Sequence, residues 1–134
     1  MCGGGDNDGV RILNLTQHYA TAEQIADGVV EPSEMDKGMI KDALTFTARP
    51  SLCEVQSRAE MLALYAAGGG YKAAMIGGAP YLMAALDREL TARRVMPVYA
   101  FTLRESAEET LADGSVRKVT QSRFDGFVGA EHLV

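Results

Sequence analysis

The 134-residue chain is poor in several residue types that mark specialised protein classes. Its two cysteines, at positions 2 and 53, are too few for the disulfide framework of a small secreted protein or for a four-cysteine metal site. The chain has no basic start followed by an apolar stretch, so we predict no signal peptide. No apolar run reaches the roughly 20 residues that cross a bilayer. These absences predict a cytoplasmic protein without a membrane segment.

Positive charge is also scarce, because 13 Lys and Arg face 18 Asp and Glu, which gives a formal net charge of −5. Proteins that coat duplex DNA or RNA need a broadly basic surface, so we predict no duplex nucleic acid partner. A compact anion held by a few local groups is not excluded.

Metal-ligand and dinucleotide motifs are missing as well. The chain has only two histidines, His18 and His132, and no His or Cys cluster with ligand spacing, so we predict no metal site. It contains neither a G-x-G-x-x-G fingerprint nor a Walker loop, which argues against NAD, FAD or ATP chemistry. The sequence therefore predicts no cofactor.

The chain does contain an alternation of short apolar runs with segments of helical spacing. We predict strands at residues 10–15, 44–48, 71–76, 95–103 and 115–121, and helices at 22–28, 34–44, 52–66 and from Pro80 onward. The Asp113–Gly114 pair predicts the turn before the last strand. Strands that alternate with helices are typical of a parallel sheet covered on both faces.

The predicted fold class is therefore α/β: a three-layer, Rossmann-like fold with a mostly parallel sheet and an antiparallel C-terminal edge hairpin. The glycine-rich residues 1–9 are predicted to be a disordered tail. Residues 10–134 are the right size for a single domain.

Polar and small residues follow the predicted strands in four places, which read "TQH" (16–18), "ARPS" (48–51), "GGAP" (77–80) and "TLRES" (102–106). In open parallel sheets, ligands bind outside the carboxyl ends of the strands. We therefore expect these four segments to lie on one rim of the sheet and to form a ligand site.

Two of the four segments carry groups suited to a nucleotide. Gly77 and Gly78 precede a helix amino terminus, where close backbone approach and unpaired N–H groups favour a phosphate. His18, with Thr16 and Gln17 beside it, could orient a ribose or accept a proton. A tight turn at the glycines and a structural role for the histidine are the alternatives, and the residues alone leave both open.

Three segments resemble the small stand-alone CRISPR-associated ring nucleases, a family with a CARF-like, Rossmannoid fold. They are "ILNLTQH…T-x-E-Q" within residues 12–25, the glycine pair at 77–78, and "PVYAFTLRES…DGSVRKV" at 97–119. The matching segments cover well under half of the chain, and "DGSVRKV" after "PVYA" is their most particular feature.

The resemblance implies that the protein binds a cyclic oligoadenylate second messenger across a homodimer axis and cleaves it, which switches off an antiviral response. It implies a metal-independent attack of the ribose 2′-hydroxyl on the adjacent phosphodiester. The catalytic residues expected from the resemblance are His18, Thr16 and Lys118. The expected ligand-binding residues are Gln17, Gly77, Gly78, Arg104 and Arg123.

One position departs from the family pattern, which has a basic residue followed by histidine near the end of the chain. This sequence has Arg123 followed by Phe124, which keeps the charge but has no titratable ring. Binding without cleavage is therefore an alternative, as a sponge or as a module for another nucleotide or small anion. A protein-interaction domain is the third alternative.

Overall fold

The computed structural model describes residues 10–129, so the predicted disordered tail at residues 1–9 lies outside the described part of the chain. The strands are β1 (Ile12–Asn14), β2 (Val29–Val30), β3 (Ala73–Met75), β4 (Met96–Thr110) and β5 (Val116–Val128). The helices are α1 (Ala22–Ala26), α2 (Glu34–Leu44), α3 (Leu52–Gly68) and α4 (Pro80–Ala92).

The five strands form one mixed sheet in the order β2-β1-β3-β4-β5. The β1–β2, β1–β3 and β3–β4 pairs are parallel, and β4–β5 is antiparallel. The predicted α/β fold is confirmed: the sheet is mostly parallel, has an antiparallel edge and carries helices on both sides, which is consistent with a Rossmann-like fold.

The two faces of the sheet are buried by clusters of different size. On one face, Leu13 and Ile76 pack with buried residues of α2, α3 and α4 in the larger cluster. On the other, Ile12, Met75 and Val98 form a smaller cluster with Ala20 and Phe127 at its margin. Because β-α-β crossovers are right-handed, α1 lies on this second face.

Helix starts follow their local sequence signals. Thr21 and Gln24 form a capping box, in which each side chain accepts a backbone N–H from the other residue at 3.1 Å. Ser33 and Ser51 cap α2 and α3 without the reciprocal bond, because each hydroxyl accepts one backbone N–H, from Asp36 and Glu54 respectively. The caps place the connections that reach the carboxyl edge of the sheet.

The strand predicted at residues 44–48 is wrong. Leu44 ends α2 and is buried in the larger cluster, and residues 45–50 have no regular structure. The Thr45 hydroxyl donates to the Lys41 carbonyl at 2.8 Å, and Arg58 Nη1 donates to the Thr45 carbonyl at 2.6 Å. These bonds tie the segment to α2 and α3, and the outer strand beside β1 is the two-residue β2.

Beyond Val98, β4 leaves the sheet and continues with β5 as a two-stranded ribbon, residues 99–128, which we call the β arm. The predicted Asp113–Gly114 turn closes its tip, where Gly114 N–H donates to the Leu111 carbonyl at 2.9 Å. Ala100 pairs with Phe127 and Thr102 with Phe124, so β5 has one extra residue at this point. This β-bulge includes Gly126, at φ +102°. The twelve residues from Tyr99 to Thr110 span roughly 40 Å at about 3.3 Å per residue.

Candidate functional site

A cleft of about 480 Å³ opens at the carboxyl edge of the sheet, outside β1, β3 and β4. The chain runs from β1 outward to β2 on one side and from β3 outward to β4 on the other, so the connections diverge between β1 and β3. Ligands of open α/β sheets bind at such a switch point. We call the cavity the switch-point cleft; it is lined by residues 16–19, Thr21, Gln24, 75–78, Tyr99 and Ala100.

The loop after β1 is held by the buried amide of Asn14. Asn14 is 0% exposed, and its Oδ1 accepts from the Thr16 backbone N–H at 2.9 Å and from the Thr16 hydroxyl at 2.7 Å. Its Nδ2 donates to the His18 carbonyl at 2.8 Å and to Glu31 Oε2 at 3.1 Å. One side chain therefore fixes the backbone at both ends of the "TQH" segment.

An ion pair between Lys37 and Glu31 supports the same loop. Lys37 of α2 is buried, and its Nζ donates to the His18 carbonyl at 2.6 Å and to Glu31 Oε1 at 3.2 Å. Glu31 Oε2 also accepts the backbone N–H of Ala20. The loop is thus rigid before any ligand arrives, which lowers the entropic cost of binding.

Glu31 keeps its negative charge because of these partners. Partial burial acts to raise the pKa of its carboxyl, but the hydrogen bonds from Ala20, Asn14 and Lys37 and the charge of Lys37 outweigh burial and lower the pKa below 4.5. The network is therefore charged and intact near neutral pH.

The network leaves the loop's side chains with different roles. The Thr16 hydroxyl is committed to Asn14, and its oxygen also accepts the His18 backbone N–H at 3.3 Å, so Thr16 shapes the loop. Gln17 and His18 are exposed, and within residues 10–129 neither the Gln17 amide nor the His18 imidazole makes a hydrogen bond. Both side chains are available to a ligand in the cleft.

The opposite wall is the "GGAP" turn and the start of α4. Within the described chain, the backbone N–H groups of Gly77, Gly78 and Ala79 donate to no acceptor. Ala79 gives α4 no side-chain cap, and the first turn of α4 holds no acidic residue. Such a helix start offers N–H donors and a partial positive charge to an anion.

Tyr99 and Ala100 form the third wall, where β4 passes the edge of the sheet. Burial, and then the nearby Asp87 carboxylate, raise the pKa of the Tyr99 phenol above its usual value. None of the residues that line the described cleft is acidic. The cleft therefore combines a rigid polar loop with free backbone donors and no opposing negative charge.

The structure brings together five of the eight predicted site residues, which are Thr16, Gln17, His18, Gly77 and Gly78. Arg104, Lys118 and Arg123 lie on the β arm instead. Arg104 is four residues beyond Ala100, roughly 13 Å at 3.3 Å per residue, and Lys118 pairs with Glu108, roughly 26 Å beyond Ala100. "ARPS" lines a separate cavity with Tyr81.

The cations of the β arm differ in their partners. Arg123 pairs with Glu105 at 3.2 Å and Arg117 with Glu109 at 2.8 Å, and all four residues lie on one face of the ribbon. Arg104 and Lys118 lie on the other face, and neither forms an ion pair within residues 10–129. This second face also contains Ala100, which lines the cleft, and Glu108, which stands opposite Lys118, so Arg104 is the cation of this face that has no acidic residue opposite it.

Asn14, Glu31 and Lys37 are site residues that sequence reasoning missed. Asn14 could have been found from the sequence, since it is a strongly polar residue near the end of the apolar run "VRILNL". No local pattern points to Glu31 or Lys37, because their roles depend on where β2 and α2 lie relative to β1.

Residues 10–129 contain neither a metal-binding cluster nor a membrane-spanning helix. No group of three or more His, Cys, Asp or Glu side chains is arranged to hold a metal ion. No helix in this range is long and apolar enough to cross a membrane.

Comparison with known proteins gives one family and no individual relative. No curated protein and no solved structure matches the chain significantly. One family model, described as the uncharacterized protein MJ1673 family, matches residues 10–128, which include every element of the fold and every residue of the switch-point cleft. The chain belongs to the MJ1673 family.

Proposed function

We propose that the switch-point cleft binds the ribose-phosphate backbone of a cyclic oligoadenylate and that the protein cleaves this ring. The observation that carries the proposal is the position of the rigid loop 16–18 opposite the unbonded N–H groups of residues 77–79, at the switch point of the sheet. The resemblance to ring nucleases is the reason for proposing a cyclic oligoadenylate rather than another nucleotide.

The glycine wall supplies the phosphate site. Backbone N–H groups at the start of α4 stabilise a phosphodiester oxygen by charge-assisted hydrogen bonds. The absence of a Cβ at Gly77 and Gly78 lets the phosphate approach the backbone closely. The same donors stabilise the charge that builds up on the phosphoryl oxygens during cleavage.

The opposite wall supplies the base. The ribose 2′-oxygen attacks the adjacent phosphorus and the bond from phosphorus to the 5′-oxygen breaks, which leaves a 2′,3′-cyclic phosphate and a 5′-hydroxyl. The exposed His18 imidazole accepts the 2′-hydroxyl proton, and the leaving 5′-oxygen takes up a proton from solvent. Gln17 orients the ribose, and Thr16 positions the loop through Asn14.

A ring of several nucleotides is larger than one cleft of about 480 Å³, so each chain holds one part of it. A two-fold homodimer presents two such clefts to a symmetric ring. Arg104 and Lys118 then balance phosphates outside the cleft, and Lys118 is too far along the arm to reach the cleft of its own chain.

The test is incubation of the protein with cyclic tetra- and hexa-adenylate, with and without a chelator, followed by chromatography. Linear products that form equally with the chelator support the proposal. Intact ring that elutes with the protein indicates the sponge instead, and ring that neither binds nor changes contradicts both.

His18→Gln separates binding from cleavage, because glutamine keeps a hydrogen-bonding group but cannot accept the proton. We expect this variant to retain the ring and to cleave it about a hundredfold more slowly, the smaller end of the usual contribution of a general base. Cleavage at the wild-type rate would remove His18 from the reaction.

A further inference from the structure

A second cavity of about 520 Å³ lies beside the start of α4. It is formed by residues 46–52 together with Val55 and Tyr81, and we call it the aromatic cavity. Tyr81 follows the cleft residue Gly78 by three positions. The two cavities therefore lie close together at the start of α4, where a Gly78 Cβ would meet the buried side chains of Met83, at 3.4 Å, and Leu44, at 3.9 Å.

Two aromatic rings give this cavity its character. The Phe46 and Tyr81 ring centroids are 5.4 Å apart and the ring planes are tilted by 60°. Phe46 is fixed from behind, because the Arg58 guanidinium lies 4.2 Å from its ring centroid while also bonding to the Thr45 carbonyl. Tyr81 is 51% exposed, although aromatic side chains normally gain much from burial.

Two polar side chains of the aromatic cavity, Tyr81 and Arg49, are available to a ligand. Within the part of the chain that the structure describes, neither the Tyr81 hydroxyl nor the Arg49 guanidinium makes a hydrogen bond or an ion pair. The cavity thus combines a preformed apolar ring surface with one free hydroxyl and one free cation. This chemistry suits a planar heteroaromatic ring that is joined to an anionic group.

We propose that the aromatic cavity is a nucleobase subsite, in which a purine stacks on the Tyr81 ring and contacts Phe46 beside it. The ribose and phosphate attached to that base pass over Gly78 into the switch-point cleft. The inference rests on the proposed function, since it names where one base of the bound nucleotide lies. The closeness of the two cavities, one lined by Gly78 and the other by Tyr81 three residues later, is the reason for choosing a nucleotide rather than an apolar side chain of a partner protein.

The test uses adenosine, which has the base and ribose but no phosphate, and follows backbone and aromatic resonances by NMR. We expect saturable shifts at residues 46–52 and at Tyr81. Tyr81→Ala should weaken adenosine binding about tenfold, the size of one base-stacking contact, and Tyr81→Phe should retain it. The dispersion of the amide spectrum shows that each variant is folded.

Adenosine that leaves the resonances of the aromatic cavity unmoved would overturn the inference, as would equal binding by Tyr81→Ala. A parallel titration with cyclic tetra-adenylate tests the proposed function separately, through the resonances of His18, Gly77 and Gly78. A ring that shifts these residues without shifting Tyr81 leaves the proposed function standing and overturns the subsite. Adenosine that shifts Tyr81, together with a ring that shifts none of these residues, would support the subsite and contradict the proposed function.

Discussion

The body of the protein, residues 10–98, and the β arm use polar residues in opposite ways. In the body, Asn14 and Lys37 are 0% and 5% exposed, and the described chain has no buried side-chain nitrogen or oxygen without a partner. On the arm, the side chains of Arg117 and Arg123 are 61% and 53% exposed. Polar groups of the body fix the shape of the cleft, whereas those of the arm remain accessible to a ligand or a second chain.

The contrast extends to stability. The body is held by two apolar clusters, to which the described part of the arm adds only Tyr99 and Phe127, both near its base. A two-stranded ribbon alone is at best marginally stable in water. A partner that covers the arm would therefore change its behaviour more than that of the body.

Removing core volume should affect the body far more than the arm. Leu86→Ala, at a fully buried position of α4, should lower the free energy of unfolding by about 3 kcal/mol. Val119→Ala on the arm should cost less than about 1 kcal/mol, because Val119 buries only part of its side chain. Urea unfolding measures both values. Equal losses would mean that the arm is packed in solution, against a second copy of the chain.

Breaking the network under the loop should destabilise the body and weaken the site together. Lys37→Met keeps the length of the side chain but leaves Glu31 without its cation, and should cost about 2 kcal/mol. Lys41→Met, an exposed position of the same helix, is the matched control and should stay within about 0.5 kcal/mol. Identical effects on unfolding would show that the network contributes nothing specific.

The Glu31 interaction should disappear in acid. The folded-state pKa of Glu31 is lowered below 4.5, so its stabilisation is complete above that value and is lost as the pH falls through the lowered pKa. The difference in unfolding free energy between wild type and Glu31→Gln should therefore be largest near neutral pH and shrink below pH 4.5. A difference independent of pH would contradict this assignment.

The ion pairs of the arm should matter least. Arg117→Ala removes an exposed pair with Glu109 and should change the free energy of unfolding by no more than about 0.5 kcal/mol. Added salt should reduce even this difference, because it screens exposed charges. A loss larger than that of Lys37→Met would reverse the ranking of the two regions.

Much of the fold could be predicted from the sequence because its signals are local. The caps at Thr21, Ser33 and Ser51 and the Asp113–Gly114 turn depend on a few neighbouring residues. Strand composition was less reliable. "LTFTA" has residues that suit a strand, but whether a segment becomes a strand depends on a free sheet neighbour, and β1 takes Val29–Val30 instead.

The site residues that follow from the order of the strands could be predicted, whereas those that depend on the length of β4 or on packing between elements could not. His18 and Gly77 follow β1 and β3, so the carboxyl-edge rule brings them together. Arg104 also follows the sheet portion of β4, but β4 continues for twelve residues beyond Val98, and no local pattern gives the point at which a strand leaves its sheet. The roles of Glu31 and Lys37 required coordinates.

The most direct test of the switch-point cleft as the ligand site is calorimetric titration of cyclic tetra-adenylate into wild type, Gly77→Val and Arg104→Ala. A side chain at Gly77 has room beside Thr16, at 3.9 Å from its Cγ2, but occupies the proposed phosphate position. We predict that Gly77→Val weakens binding at least about tenfold, the equivalent of one lost charge-assisted hydrogen bond, with a smaller loss for Arg104→Ala. Wild-type affinity in a folded Gly77→Val variant would contradict the account.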